Sequence, residues 1–189
     1  ELEVEGLAAA KKKSIQGCKA HSNGSGFGYG LKSCSGLTGV GVLCMQLLGA
    51  AKEPECKAGL AWLESWNFSW SEKTKGNIYY WYYVTQAKFH HGGDTWNSWN
   101  KMFSPELVKV QVVIPNAIED AKGKMQDIGY WEPPAGHKGH SGGVVMDTSL
   151  CALMLQVYYR YLPTFKKPEE NADVEEVVAD DEIDIEIAI

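Results

Sequence analysis

The chain has 189 residues, 44% hydrophobic and 22% charged, fractions typical of one globular domain with a sizeable core. Its net charge of −6 is uneven, because residues 166 to 189 hold ten acids and two lysines, whereas the first 165 residues hold fourteen acids and sixteen bases. There is no run of about 18 apolar residues and no stripe of lysines or arginines, so we predict neither a transmembrane segment nor a nucleic-acid partner. Because the chain begins at Glu1 and shows no signal peptide, we expect either a trimmed start or a processed precursor.

The cysteine spacing argues against a structural zinc ribbon. The five cysteines show no C-x-x-C pair, and they are Cys18, Cys34, Cys44, Cys56 and Cys151. Cys44 and Cys151 lie in apolar helical runs and are predicted to be buried free thiols. Cys34 precedes a predicted helix, a position that can lower the pKa of a thiol.

The first part of the chain predicts three helices joined by glycine-rich and aromatic turns. Apolar residues recur at helical spacing over residues 5 to 19, 36 to 50 and 55 to 66. In the first of these helices, Leu7 and Ile15 are expected to face inward. In the turn at residues 21 to 30, Phe27 and Tyr29 are expected to insert into the core.

The most aromatic segment is NIYYWYYVTQAKFHH, residues 77 to 91. On a helix, one stripe consists of Tyr79, Tyr83, Gln86 and His90, and aromatic or apolar groups cover more than half of the circumference. A helix of this kind is buried on most sides. The segment is therefore predicted to be the central helix of the fold.

Two glycines are predicted to separate the central helix from the next one. Gly92 and Gly93 suit a helix C-terminus, and Asp94 is expected to cap a helix that runs from Trp96 to about Val113. The apolar run at residues 110 to 114 also has strand propensity. Its short length and its place at a helix end make the strand the weaker interpretation.

Residues 118 to 143 form the longest stretch without a clear period. Two prolines, six glycines and two histidines predict irregular structure over most of it, and loops of this length are usually functional or mobile. The spacing of His137 and His140 suits metal chelation, although such loops are more often simply solvated. A strongly apolar last helix is predicted over residues 144 to 163.

The acidic C-terminal tail, residues 166 to 189, is predicted to be flexible at least through Ala179. Its last residues alternate strictly, which is a strand pattern, with one face consisting of Ile183, Ile185, Ile187 and Ile189. A single strand is not stable alone. We therefore expect either disorder or strand addition to a sheet edge of another molecule, which makes residues 180 to 189 a candidate homo-oligomer or protein contact.

A weak repeat occurs about three times, consisting of a Gly-aromatic turn, a very apolar helix and a more amphipathic helix. Its turns are GSGFGYG, NFSWSEKTKG and QDIGYWEPP. With LTGVGVLCMQLLGA, YYWYYVTQAKFHHGGDTWNSWNKMF and TSLCALMLQVYYRYLP, the pattern resembles the squalene cyclase and protein prenyltransferase superfamily, and most closely its bacterial prenyltransferase/squalene-oxidase-repeat proteins. Gln126, Gly129 and Trp131 look like the family's Gln-Gly-Trp turn, one spacer residue short. The resemblance covers roughly residues 5 to 165.

The resemblance implies an all-α fold of stacked helical hairpins forming a toroid or partial toroid over residues 1 to 165, followed by the tail. A complete toroid of this family has about six helix pairs, and the chain predicts three, so it corresponds to half a ring or to the C-terminal part of a longer protein. The Asp-x-Asp-Asp acid of the class II terpene cyclases is missing, as are the zinc set of the prenyltransferases and the Cys-Gly-Glu-Gln thioester of related toroids.

Two polar sites are candidates for chemistry. His90, His91 and Asp94 carry ligand atoms that suit zinc, although adjacent histidines on a helix point about 100° apart, and the simpler interpretation is one buried histidine and a capping carboxylate. Asp147 lies near the start of the last apolar helix, where the cyclase resemblance places a proton donor. A helix-capping role explains Asp147 more simply.

The aromatic residues are candidates for ligand binding. Their ring faces suit a cation or an apolar ligand, although aromatic side chains also dominate protein cores. The residues selected for a ligand site are Tyr79, Tyr83, Gln86, His90 and Trp131.

Two functions are predicted. The first is a non-catalytic module on a cyclase-like scaffold that binds a protein, a second copy of itself or an apolar small molecule. The second is the C-terminal half of a class II terpene cyclase or prenyltransferase-type enzyme whose acid or metal site lies in an N-terminal half. No cofactor is predicted.

Overall fold

Six helices and one antiparallel strand pair make up the residues that the computed structural model describes, which are 4–29, 36–71, 77–134 and 142–157. In chain order the elements are α1 (Leu7–Ala20), α2 (Thr38–Leu47), α3 (Pro54–Glu64), α4 (Ile78–His91), α5 (Gly93–Val110), β1 (Val112–Glu119), β2 (Met125–Tyr130) and α6 (Val144–Leu155). The described chain is mostly helical. The prediction of a purely all-α fold is wrong, because the two strands pair. Among the described helices, none has the length and apolar character needed to cross a membrane.

The helices are arranged around α4. Helix α4 packs against α2 on one side and against α6 on another, so that α2, α4 and α6 form a row. Helix α3 contacts both α2 and α4, and α5 contacts α4. The apolar helix of each predicted repeat therefore lies beside the next apolar helix. A toroid built from such pairs stays a prediction.

Helix α2 approaches α4 closely because it carries a glycine at the contact. A Cβ atom on Gly39 would lie 2.9 Å from the backbone nitrogen of Val84, closer than real Cβ atoms approach other atoms. Farther along the same contact, Gln46 donates a hydrogen bond from Nε2 to the carbonyl oxygen of Ala87 at 3.0 Å. The α2–α4 pair is therefore fixed by backbone contact as well as by side-chain packing.

The core behind α4 is aromatic. Trp81 of α4 packs on Phe68 with ring centroids 4.2 Å apart, and Phe68 meets the edge of Trp99 at 6.0 Å. Trp99 and Phe103 of α5 stack at 6.2 Å. Rings in such offset and edge-on arrangements stabilise a core beyond the area that they bury. The loop that carries Phe68 thereby joins α4 to α5.

Strands β1 and β2 form a hairpin where an irregular stretch was predicted. The pairing runs from Val112 opposite Tyr130 to Glu119 opposite Met125. The weaker strand interpretation at residues 110 to 114 was thus the better one. Strand β2 is a regular element within residues 118 to 143, a stretch predicted to be irregular over most of its length. Alternation in β1 is obscured in the sequence by a bulge between Ile114 and Ile118.

The ends of the predicted elements hold further corrections. Leu7 is 56% exposed and Tyr29 is 92% exposed, so neither inserts into the core, whereas Phe27 is buried as predicted. Ile15 is half-buried against the core. Asp94 does not cap α5, because Gly92, with φ of 75°, ends α4 and allows α5 to begin at Gly93.

Several predicted features lie outside the described residues. They are Cys34, His137, His140, the end of the last helix and the tail with residues 180 to 189. In the described part, Cys151 is a buried free thiol as predicted, and Cys44 is free but only half-buried.

Candidate functional site

Four tyrosines of α4 form one cluster at the start of the helix. The side chain of Asn77 accepts a hydrogen bond from the backbone nitrogen of Tyr80 at 3.1 Å and so caps the first turn. The ring of Tyr79 lies 5.0 Å from that of Tyr83, and Tyr83 lies 5.1 Å from Tyr82, both edge to face. Tyr80 meets Tyr79 at 5.8 Å. We call these four half-buried residues the tyrosine cluster.

Helix α4 has two aromatic sides with different surroundings. The side toward α5 carries Thr85 and Lys88, which both contact Trp99. At 100° per residue, Tyr79 and Tyr83 lie about 180° from that side. Tyr79 and Tyr83 therefore do not pack between α4 and α5, and both side chains remain partly accessible to solvent.

The hydroxyl group of Tyr83 in this cluster stays protonated over the physiological range. Burial, together with the hydrogen bond to the Tyr79 hydroxyl, raises the pKa of Tyr83 to about 12. A neutral phenol both donates and accepts hydrogen bonds. The cluster thus offers apolar ring surface with hydroxyl groups at its tips, which suits an apolar ligand that carries few polar groups.

The remaining residues of the predicted stripe differ in burial. Gln86 is 1% exposed and lies inside the protein. His90 is half-buried next to Phe89, and burial lowers its pKa. His90, His91 and Asp94 follow one another at the α4–α5 junction, but in the described ranges no three histidine, cysteine or acidic side chains form a group that could hold a metal ion.

Trp131 has a structural position in the described part of the chain. It is 4% exposed, and its indole Nε1 donates a hydrogen bond to the carbonyl oxygen of Leu107 at 2.8 Å. Its backbone nitrogen donates to Thr148 Oγ1 at 3.0 Å. Trp131 therefore connects the end of β2 to α5 and α6, and both of its N–H groups donate hydrogen bonds within the protein.

Asp147 is fully buried in the first turn of α6. Gly143 occupies the capping position instead, so the simpler prediction that Asp147 caps this helix is wrong. Cys151 lies one turn farther on, and burial, with a smaller contribution from the Asp147 carboxyl, raises the pKa of its thiol to about 12. The end of the α2–α4–α6 row thus holds an acid inside the protein.

Lys88 is a buried cation that the sequence analysis did not select. Its side chain is 2% exposed, and Nζ lies 4.8 Å from the ring centroid of Trp99. Trp99 Nε1 donates to Thr85 Oγ1 at 2.9 Å, which fixes the ring under the ammonium group. Lys88 lies seven residues after Trp81, so the two share one stripe of the helix. This spacing was the signal in the sequence that Lys88 would be buried.

Replacing Lys88 with methionine is expected to raise the free energy of unfolding by about 1 kcal/mol at pH 7. Burial, partly offset by Glu64, lowers the pKa of Lys88 below 10.5 in the folded protein. Between that lowered pKa and 10.5, Lys88 binds more protons in the unfolded chain than in the folded protein. The free energy of unfolding of the wild type therefore increases as the pH rises through this window. The advantage of Lys88→Met should therefore shrink toward pH 10.5 in urea unfolding experiments.

The matched control is Lys57→Met, because Lys57 is exposed on α3. It should change stability by less than about 0.5 kcal/mol at either pH. A loss of stability in Lys88→Met at pH 7 would show that the contact with Trp99 outweighs the cost of burying the charge.

No family model, no curated protein and no solved structure matches this chain.

Proposed function

We propose that the chain is a non-catalytic binding module that holds an apolar small molecule on the tyrosine cluster of α4. The observation that carries the proposal is the packing of four half-buried tyrosine rings, where burial raises the pKa of Tyr83 to about 12. Aromatic faces bind apolar and cationic ligands, and the hydroxyl groups orient them. The row of α2, α4 and α6 is the scaffold. The resemblance of the sequence to the squalene cyclase and protein prenyltransferase superfamily favours an isoprenoid ligand.

Binding of geranylgeraniol tests this function. Wild-type chain is expected to bind this isoprenoid alcohol in equilibrium dialysis, and Tyr79→Ala and Tyr83→Ala should each weaken binding about tenfold, since an aromatic contact contributes about 1 kcal/mol or more. Tyr79→Phe and Tyr83→Phe should retain most of the affinity if the ring faces carry it.

Tyr29→Ala is the matched control, because Tyr29 is a tyrosine that is almost fully exposed and outside the cluster. It should bind as the wild type does. Equal affinities for wild type, Tyr79→Ala and Tyr83→Ala, with all three folded by circular dichroism, would overturn the proposed site.

Asp147 favours the enzyme as a second candidate. Asp147 is fully buried in the first turn of the apolar helix α6, and the sequence resemblance expects the proton donor of a cyclase at the start of such a helix. The bound geranylgeraniol distinguishes the two functions when it is extracted and analysed by mass spectrometry. A binding module returns it unchanged, whereas an enzyme returns a rearranged product that disappears in Asp147→Asn.

A further inference from the structure

The β1–β2 hairpin exposes a row of isoleucines on one face. Ile114 lies opposite Ile128, and Ile118 lies opposite Gln126, so all four share a face. The exposed fractions are 46% for Ile114, 54% for Ile118 and 39% for Ile128. Val112 and Tyr130 lie on the same side. We call this side the isoleucine face; Gln126 interrupts it, and its isoleucines are partly exposed.

The two outer edges of the hairpin differ. In β1, Pro115 lacks a backbone donor and Asn116 has φ of 50°, with its nitrogen bonded to Asp127 Oδ1. A proline and a bulge of this kind block pairing along an edge. Strand β2 has neither feature and, among the described strands, pairs only with β1. The edge of β2 is therefore the one that can accept a further strand.

The C-terminal sequence matches this edge in pattern and length. Ile183, Ile185, Ile187 and Ile189 alternate with Asp184, Glu186 and Ala188, so a strand made from them has one isoleucine face. Seven residues extend about 23 Å, close to the length of the six-residue β2.

We propose that residues 183 to 189 add as a third strand to the edge of β2 in the same chain and continue its isoleucine face. Helix α6, the last described helix, contacts β2. The roughly 26 residues between Val157 and Ile183 have a root-mean-square span of about 28 Å, which suffices to reach the hairpin. A tether of this length gives an effective concentration near the millimolar range and favours pairing within the chain over pairing between copies.

Hydrogen exchange on the whole chain tests the proposal. The variant Ile185→Asp/Ile187→Asp places charges on the isoleucine face of the added strand and should prevent it from pairing with β2. The backbone amides of residues 125 to 130 should then exchange at least about tenfold faster. Asp184→Asn/Glu186→Gln alters the other face of the same segment and should leave the exchange unchanged. The reciprocal variant, Ile114→Asp/Ile128→Asp, should deprotect residues 183 to 189 while amides of α4 keep their wild-type exchange.

Two results would overturn the proposal. One is equal exchange in residues 125 to 130 for the wild type and Ile185→Asp/Ile187→Asp. The other is a dimer in light scattering that dissociates in that variant, because it would place the strand on a second copy. Neither result depends on the tyrosine cluster, so the ligand proposal stands or fails separately.

Discussion

Gly39→Ala is expected to lower the free energy of unfolding by about 2 to 3 kcal/mol, as overpacking of a tight core does. The added methyl carbon would lie 2.9 Å from the backbone nitrogen of Val84 and 3.1 Å from the carbonyl carbon of Tyr83. Backbone atoms of a packed helix cannot rotate away as a side chain can. Helix α2 would have to move off α4, and urea unfolding would measure the loss.

Gly17→Ala is the control for this substitution. Gly17 lies inside α1, and a Cβ atom there would meet no atom within 4 Å. The same chemical change should raise stability by about 0.5 to 1 kcal/mol, since alanine favours the helix and glycine opposes it. If both variants shifted stability alike, the α2–α4 approach would be looser than the structure shows.

Trp99→Ala is expected to lower the free energy of unfolding by about 3 to 5 kcal/mol. The indole packs on Phe68 and Phe103, donates a hydrogen bond to Thr85 and lies under the Lys88 ammonium group. Its removal opens a cavity and leaves a buried cation without its aromatic partner. Thermal or urea unfolding, followed by far-ultraviolet circular dichroism, provides the measurement.

Trp62→Ala serves as the comparison, because Trp62 is half-buried on α3 and packs on Trp66 at 5.3 Å. Its loss should cost about 1 to 2 kcal/mol. Similar losses for the two tryptophans would contradict a central role for Trp99.

Thr85→Val isolates the hydrogen bond and should cost about 1 to 2 kcal/mol, because it leaves the indole N–H unsatisfied.

The helices were predictable where one periodic signal dominated. The segment around Trp81 was predicted as residues 77 to 91 and forms α4 from Ile78 to His91, because Asn77 and Gly92 mark its ends. The hairpin was not predicted. Pro115, the bulge after Ile114 and the short, weakly alternating β2 removed the period on which strand prediction depends.

The site was predictable in part. Helical spacing alone indicated that Tyr79 and Tyr83 would meet, and their rings lie 5.0 Å apart. Burial depends on which other elements pack against a helix. The residue spacing within a single helix does not show this. For this reason Lys88 was not among the residues selected from the sequence, and Trp131 was assigned to a ligand although its indole N–H donates to Leu107.

The single-residue connection at Gly92 has a consequence for the order of folding. Thr85 and Trp99 are 14 residues apart in sequence, whereas Gln46 and Ala87, which join α2 to α4, are 41 apart. Closing the longer loop costs about 1 kcal/mol more in chain entropy. The α4–α5 hairpin is therefore expected to form first, as a local nucleus, and α2 is expected to dock on it through Gly39 in a later step.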